Sequence, residues 1–248
     1  LSVDFKQVLG GTARVTLGTV GALLFLLGWE VGSRLYGQLQ LFPPPSGVVV
    51  ALWRLFGEQG FGWDVWASLR RILVSFGIAA VMALPLGLLM GAFPPLRAVG
   101  GPLVSACRYL PATAFVSLFL MWLGAGEEQK LALLTVGVVF FLLTLIIDNT
   151  LEVRTELIDT ARTLGAGRRQ ILRTVVLPAC MPAYVDTLRQ MLAVGWTYLV
   201  VAEIVATTDG IGAMMMRAKR FVHVDEIMAG IVTIGVMGLL LDGAFHAR

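Results

Sequence analysis

The chain has 248 residues, 57% of them apolar and 14% charged, with a formal net charge of +3. A soluble domain carries about 25% charged residues, so the composition excludes an ordinary soluble fold and predicts an all-α membrane protein. The mild positive charge fits basic cytoplasmic loops better than nucleic-acid binding, and Cys107 and Cys180 lack metal-ligand spacing.

The whole chain, 1–248, reads as one transmembrane domain of about six helices; it runs from Leu1 to Arg248, and both ends are expected to be trimmed. The first apolar run covers about 15–31, and no small-residue cleavage site follows it, which argues against a cleaved signal peptide. Leu41-Phe-Pro-Pro-Pro-Ser-Gly cannot stay helical, because prolines remove donors and fix φ. A short amphipathic stretch, 48–56, then offers Trp53 and Phe56 to the membrane interface. The second span, 72–93, is uncharged and ends at Pro94-Pro95. The third, 103–123, holds Pro111, which predicts a kink or break whose freed carbonyls need a partner or a water-filled cavity. The fourth is 131–147. The fifth, 183–205, carries Asp186, Arg189 and Glu203. The sixth, 227–241, contains Gly230, Gly235 and Gly238, which suit close helix packing.

Lys and Arg concentrate on the cytoplasmic side of membrane proteins. With the N-terminus inside, ten fall in inner segments, among them Lys6, Arg97, Arg108 and Arg248, against eight in outer ones. Five arginines between 154 and 173 carry most of the bias, so that connection is taken as cytoplasmic. A connection as long as 152–182 is unusual inside a compact bundle unless it is functional. Leu157, Ile158, Ala161 and Leu164 predict one apolar stripe on a short helix, with Thr155 as N-cap and Glu156 and Asp159 in its early turns. Gly165 and Gly167 allow a sharp turn, and a second short helix, 168–176, leads into Leu177-Pro178. Two readings stay open on physics alone: a helical pair projecting toward a partner, or a surface helix lying on anionic lipid.

Asp159-Thr160-Ala161, three residues, Gly165, nine residues, Val175, one residue, Leu177-Pro178 resembles the EAA motif of ABC importer permeases. Asp159 stands for Glu, Thr160 for Ala and Val175 for Ile; the spacing is intact. Leu41-Phe-Pro-Pro-Pro-Ser, Trp122-Leu-Gly-Ala-Gly-Glu127, Val201-Ala-Glu203-Ile and Leu239-Leu-Leu-Asp242 look like the nitrate, sulfonate, taurine and bicarbonate branch. Cys107-Arg-Tyr-Leu-Pro111-Ala-Thr113 departs from it, lacking the Pro-Pro pair often seen there. The resemblance implies a type I importer bundle in a bacterial cytoplasmic (inner) membrane, not itself an enzyme. The 152–182 segment would be its coupling helix, with Glu156, Asp159, Thr160, Ala161, Leu164, Gly165, Gly167, Leu177 and Pro178 engaging a cytoplasmic ATPase. It further implies a second permease subunit (a copy of this chain being the simplest case), two ATPase subunits that hold ATP and Mg, and an extracytoplasmic substrate-binding protein facing an outer segment such as 211–221. The transported solute would be a small anion such as nitrate, a sulfonate, taurine or bicarbonate.

Charges inside spans cost at least about 2.5–3.5 kcal/mol at mid-bilayer, so each needs a reason. Arg189, Trp196 and Glu203, spaced by seven, share a helical face; Tyr109, Thr113 and Ser117 recur every four residues around Pro111. These two stripes are the expected translocation path. For Arg189 the bland alternative is a local pair with Asp186, and for Glu203 an inter-helix hydrogen bond. No Gly-Lys-Ser/Thr phosphate loop and no His-Glu-x-x-His occurs; Gly165-Ala-Gly167 follows no strand, which sets aside a dinucleotide fingerprint. The remaining alternative is a secondary transporter or channel, although the halves show no convincing repeat.

Overall fold

A computed structural model describes residues 11–37, 41–205 and 208–246, all helix and short connections; Lys6 and Arg248 lie outside them. The helices are α1 (Gly11–Tyr36), α2 (Pro45–Glu58), α3 (Phe61–Ala92), α4 (Pro94–Arg108), α5 (Val116–Leu123), α6 (Glu127–Leu151), α7 (Thr155–Thr163), α8 (Arg168–Ile171), α9 (Leu177–Val205), α10 (Ile211–Arg220) and α11 (Val224–His246). Five runs are long and apolar enough to cross a membrane, and α4 with the 3-10 turn Ala112–Phe115 and α5 makes a sixth, bent by 84°. That is the break expected at Pro111, and it lies immediately before the 3-10 turn.

The bundle is organised on α3 and α6. Ser75, Ala79, Ala83, Gly87 and Gly91 recur every four residues on α3, and all are buried. A Cβ on Gly87 would stand 2.5 Å from Ile146 Cγ2, and one on Gly91 2.4 Å from Thr150 Cβ. Small side chains therefore let the two backbones approach, which supplies the dispersion contact that drives helix association in lipid. α9 completes the core against both helices: Tyr184 and Thr150 share a 2.6 Å hydrogen bond, and Asn149 donates to Thr187 at 2.7 Å. α1 touches the rest mainly at its outer end, where Trp29 Nε1 donates to the Pro43 carbonyl at 3.1 Å and Ser33 bonds the Phe42 carbonyl.

Three local expectations change. α3 extends eleven residues outward beyond the expected start at 72, and so carries Asp64, Arg70 and Arg71. Thr155 is the first helical residue of α7, not its cap; Arg154 holds the cap position without a side-chain bond. The second short helix is not separate: α8, a π turn over Leu172–Val176 and α9 form one helical run, Arg168–Val205. Pro178 lacks an N–H and its ring crowds the carbonyl four residues back. The wider π turn just before it, in which the Leu177 N–H reaches the Leu172 carbonyl, accommodates that crowding without ending the helix.

Candidate functional site

At the end of the bundle expected to be cytoplasmic, α7 stops in a way that explains the motif's glycine. The Ala166 N–H bonds the Ala161 carbonyl at 3.0 Å and the Gly165 N–H bonds the Arg162 carbonyl at 2.9 Å, with Gly165 at φ +82°. This is a Schellman ending, and its left-handed position favours glycine. Ala161 and Ala166 pack together against the inner core cluster around Ile171 and Val176. α7 is thereby welded at a fixed angle to the start of α9.

The predicted apolar stripe of α7 divides into two faces. Ile158 and Ala161 turn inward, whereas Leu157 is 38% exposed and Leu164 is 82% exposed. Helical spacing defines a stripe but not its orientation, so the outward leucines were not separable from sequence. Glu156, Asp159, Thr160, Gly165, Gly167 and Pro178 are exposed too, with Leu177 half-buried. Asp159 pairs with Arg162 at 3.2 Å on the open surface, an interaction worth little for stability.

The two expected path stripes are not brought together. Tyr109, Pro111, Thr113 and Ser117 lie on the surface of the chain. Trp196 is buried with Ile72, Leu134 and Leu199, with Ile234 and Met237 of α11 against the same cluster. Arg189 pairs with Asp242 of α11 at 3.2 Å, which corrects the local partner Asp186. Arg108, counted above with the inner segments, occupies the last turn of α4 inside the bent span.

Glu203 belongs to a network at the opposite, outer end. Arg71, fully buried, places Nη1 2.7 Å from Glu203 Oε1 and Nη2 2.6 Å from Asp209 Oδ1, and its Nε and Nη2 both bond Glu127. Lys130 Nζ reaches Thr208 Oγ1 at 2.7 Å and Asp209 Oδ1 at 3.3 Å. The same group caps α10. Asp64 accepts the Gly210 N–H at 2.8 Å, Ser68 the Ile211 N–H at 2.9 Å and Glu203 the Gly212 N–H at 2.8 Å. Carboxylates at a helix N-terminus are favoured by its orphan N–H groups and dipole. Gly210, at φ +106°, is required here because a Cβ would stand 2.3 Å from Glu203 Oε1. The outer segment is thus tied to α3, α6 and α9 through charge. Sequence reasoning found Glu203 and missed Arg71, Asp64, Ser68, Lys130 and Asp209. The one available signal was the face 64, 68, 71, 75 on α3, polar at helical spacing just outside an apolar run.

Burial disfavours the charge on Asp209, but the Thr208 hydroxyl and then Arg71 and Lys130 outweigh it and hold the carboxyl at about 2, below its ordinary 3.8. A depressed carboxylate stabilises fully above the ordinary value and loses that contribution as pH falls toward the folded one. The thermal midpoint of the native chain should therefore exceed that of D209N at pH 6. The gap should narrow as pH falls from about 4 toward 2.

The family described as binding-protein-dependent transport system inner membrane components matches residues 83–245. The taurine transport system permease protein of Escherichia coli is 33% identical over 99% of this chain and 90% of its own. A bicarbonate transport system permease protein of Synechococcus elongatus is 28% identical over 96% of this chain and 88% of its own. A Bacillus subtilis protein described as a putative aliphatic sulfonates transport permease is 28% identical over 86% and 78%. Among solved structures, an inward-facing form of the MetNI methionine ABC transporter shares the fold at a TM-score of 0.60 and 23% identity, over 73% of this chain and 94% of that one. With the fold, the intact motif spacing and these relatives in agreement, the secondary-transporter alternative is set aside: the chain belongs to the binding-protein-dependent transport system inner membrane components and is a permease subunit of an ABC importer.

Proposed function

We propose that this permease couples to its ATPase through α7 and carries a small anion of the sulfonate or bicarbonate class. The observation that carries the coupling is the outward face of α7, with Leu164 82% exposed beside Asp159, on a helix fixed to α9 by the Gly165 turn. Such a rigid link passes a push on α7 into a membrane helix, whereas a flexible loop would absorb it. The leucines offer an apolar anchor, and the motif residues Asp159, Thr160 and Gly165 surround it. ATP and Mg are held by the partner ATPase, since this chain has no phosphate loop. Two copies of the chain, two ATPase subunits and a binding protein delivering solute from outside complete the assembly, in a bacterial inner membrane. The anion class is supported by the taurine, sulfonate and bicarbonate names of its relatives.

Calorimetry on the cognate binding protein tests the solute: binding of taurine, an alkanesulfonate or bicarbonate supports the reading, and exclusive binding of a neutral solute contradicts it. For the coupling, L164D should lower ATP-driven uptake at least tenfold in proteoliposomes while the permease remains folded, because a carboxylate replaces a desolvated anchor. Native uptake by L164D would refute the assignment.

A further inference from the structure

We propose that Arg108, at the break of the bent span, is the charge-selective contact for the transported anion, on a face that a second permease subunit closes. This rests on the anion reading above.

Depth comes first. Val104, four residues before Arg108, is buried in the inner cluster with Met90, Ile147 and Val176. Ala112, four residues after it, is buried in the outer cluster with Leu133 and Ala202. Arg108 lies between these anchors. Between them α4 meets the segment Ala112–Leu123 at a bend of 84°. The guanidinium is therefore held well inside the membrane rather than in a loop.

Charge comes second. Three cations packed in the core of the bundle are neutralised by carboxylates: Arg71 by Glu127, Glu203 and Asp209, Lys130 by Asp209, and Arg189 by Asp242. Arg108 has no salt bridge among the described residues. Its contacts are with its neighbour: Nη2 lies 3.4 Å from the Tyr109 hydroxyl and Cζ 5.2 Å from the ring centroid. An arginine facing lipid at this depth would cost at least about 2.5–3.5 kcal/mol, so it should face protein or a water-filled path.

The surroundings favour the path. Tyr109 is 76% exposed, and Thr113 and Ser117 are open on the same broken span. Pro111 removes a backbone donor there, freeing carbonyls that water can satisfy. Hydroxyls and freed carbonyls would hydrate the face, and a lone guanidinium would set its sign. Arginine lining a pore selects anions in this manner, and its planar fork suits carboxylate-like and sulfonate oxygens. One chain leaves this face uncovered, so the site is incomplete without the second subunit.

The test uses the full complex in proteoliposomes with ATP inside and binding protein outside, with taurine as probe once calorimetry shows that the binding protein takes it. R108Q should reduce uptake at least tenfold while binding-protein-stimulated ATP hydrolysis stays within twofold. R108K, which keeps the charge, should retain at least half of native uptake. If R108Q does not assemble, R108M, uncharged and of similar length, is measured in its place. Native uptake without the charge would overturn the proposal. Equal loss in R108K and R108Q would also overturn it, because shape rather than charge would then matter. A binding protein that takes only neutral solutes defeats the anion reading itself, whereas an anion-binding partner with native uptake by R108Q defeats the Arg108 assignment alone.

Discussion

R71M is expected to destabilise the permease severely. Arg71 has no exposed surface and bonds Glu127, Glu203 and Asp209 at once. Removing one member of a buried ion pair leaves an uncompensated charge and costs about 3–5 kcal/mol. Glu203, also fully buried, would keep, among the described residues, the Ser68 hydroxyl and the Gly212 N–H. The loss should appear as a lowered thermal midpoint of the purified complex and reduced abundance in the membrane. R71K should fall between, since one ammonium cannot reach three carboxylates as a guanidinium fork does. R71M/E203Q should be less damaging than the sum of the two changes, because the second removes the charge stranded by the first. A native midpoint for R71M would show that the network contributes little.

The second large effect is expected where α3 meets α6. G91A places a Cβ 2.4 Å from Thr150 Cβ, and G87A places one 2.5 Å from Ile146 Cγ2. Neither position can accept a methyl group without parting the helices. Overpacking typically costs about 1–3 kcal/mol, and G87A/G91A should prevent assembly because both insertions fall on one stripe. Gly77 is the control on the same helix, since nothing lies within 4 Å of its Cβ position. G77A should leave the midpoint unchanged or raise it slightly, as alanine favours helix over glycine. Equal midpoints for G77A and G91A would mean that α3 and α6 do not pack this closely.

Much of the fold was legible because each feature had a local cause. Apolar length announced the spans, Pro111 announced the break, and Gly165 announced the turn after α7. Interactions joining distant segments left almost no local trace. Arg71, Glu127, Glu203 and Asp209 come from four places in the chain, and only folding brings their charges within 3 Å or so. Arg189 had Asp186 three residues away, yet the packing of α9 against α11 gives it Asp242. The single stripe expected on α7 divides into two faces, because which of its apolar residues face the bundle depends on where the turn sets the helix. The merging of α8 with α9 follows from a π turn over Leu172–Val176, which α-helical periodicity does not predict.

On the proposed reading, α7 is where the motor meets the bundle. A photo-crosslinking amino acid placed at Leu164 tests it directly, with Val99, 83% exposed, as the control position. In the assembled, ATP-hydrolysing complex, the probe at 164 should attach to the ATPase subunit, and the probe at 99 should not. Failure to capture the ATPase from 164, or equal capture from both positions, would mean that α7 is not the motor contact.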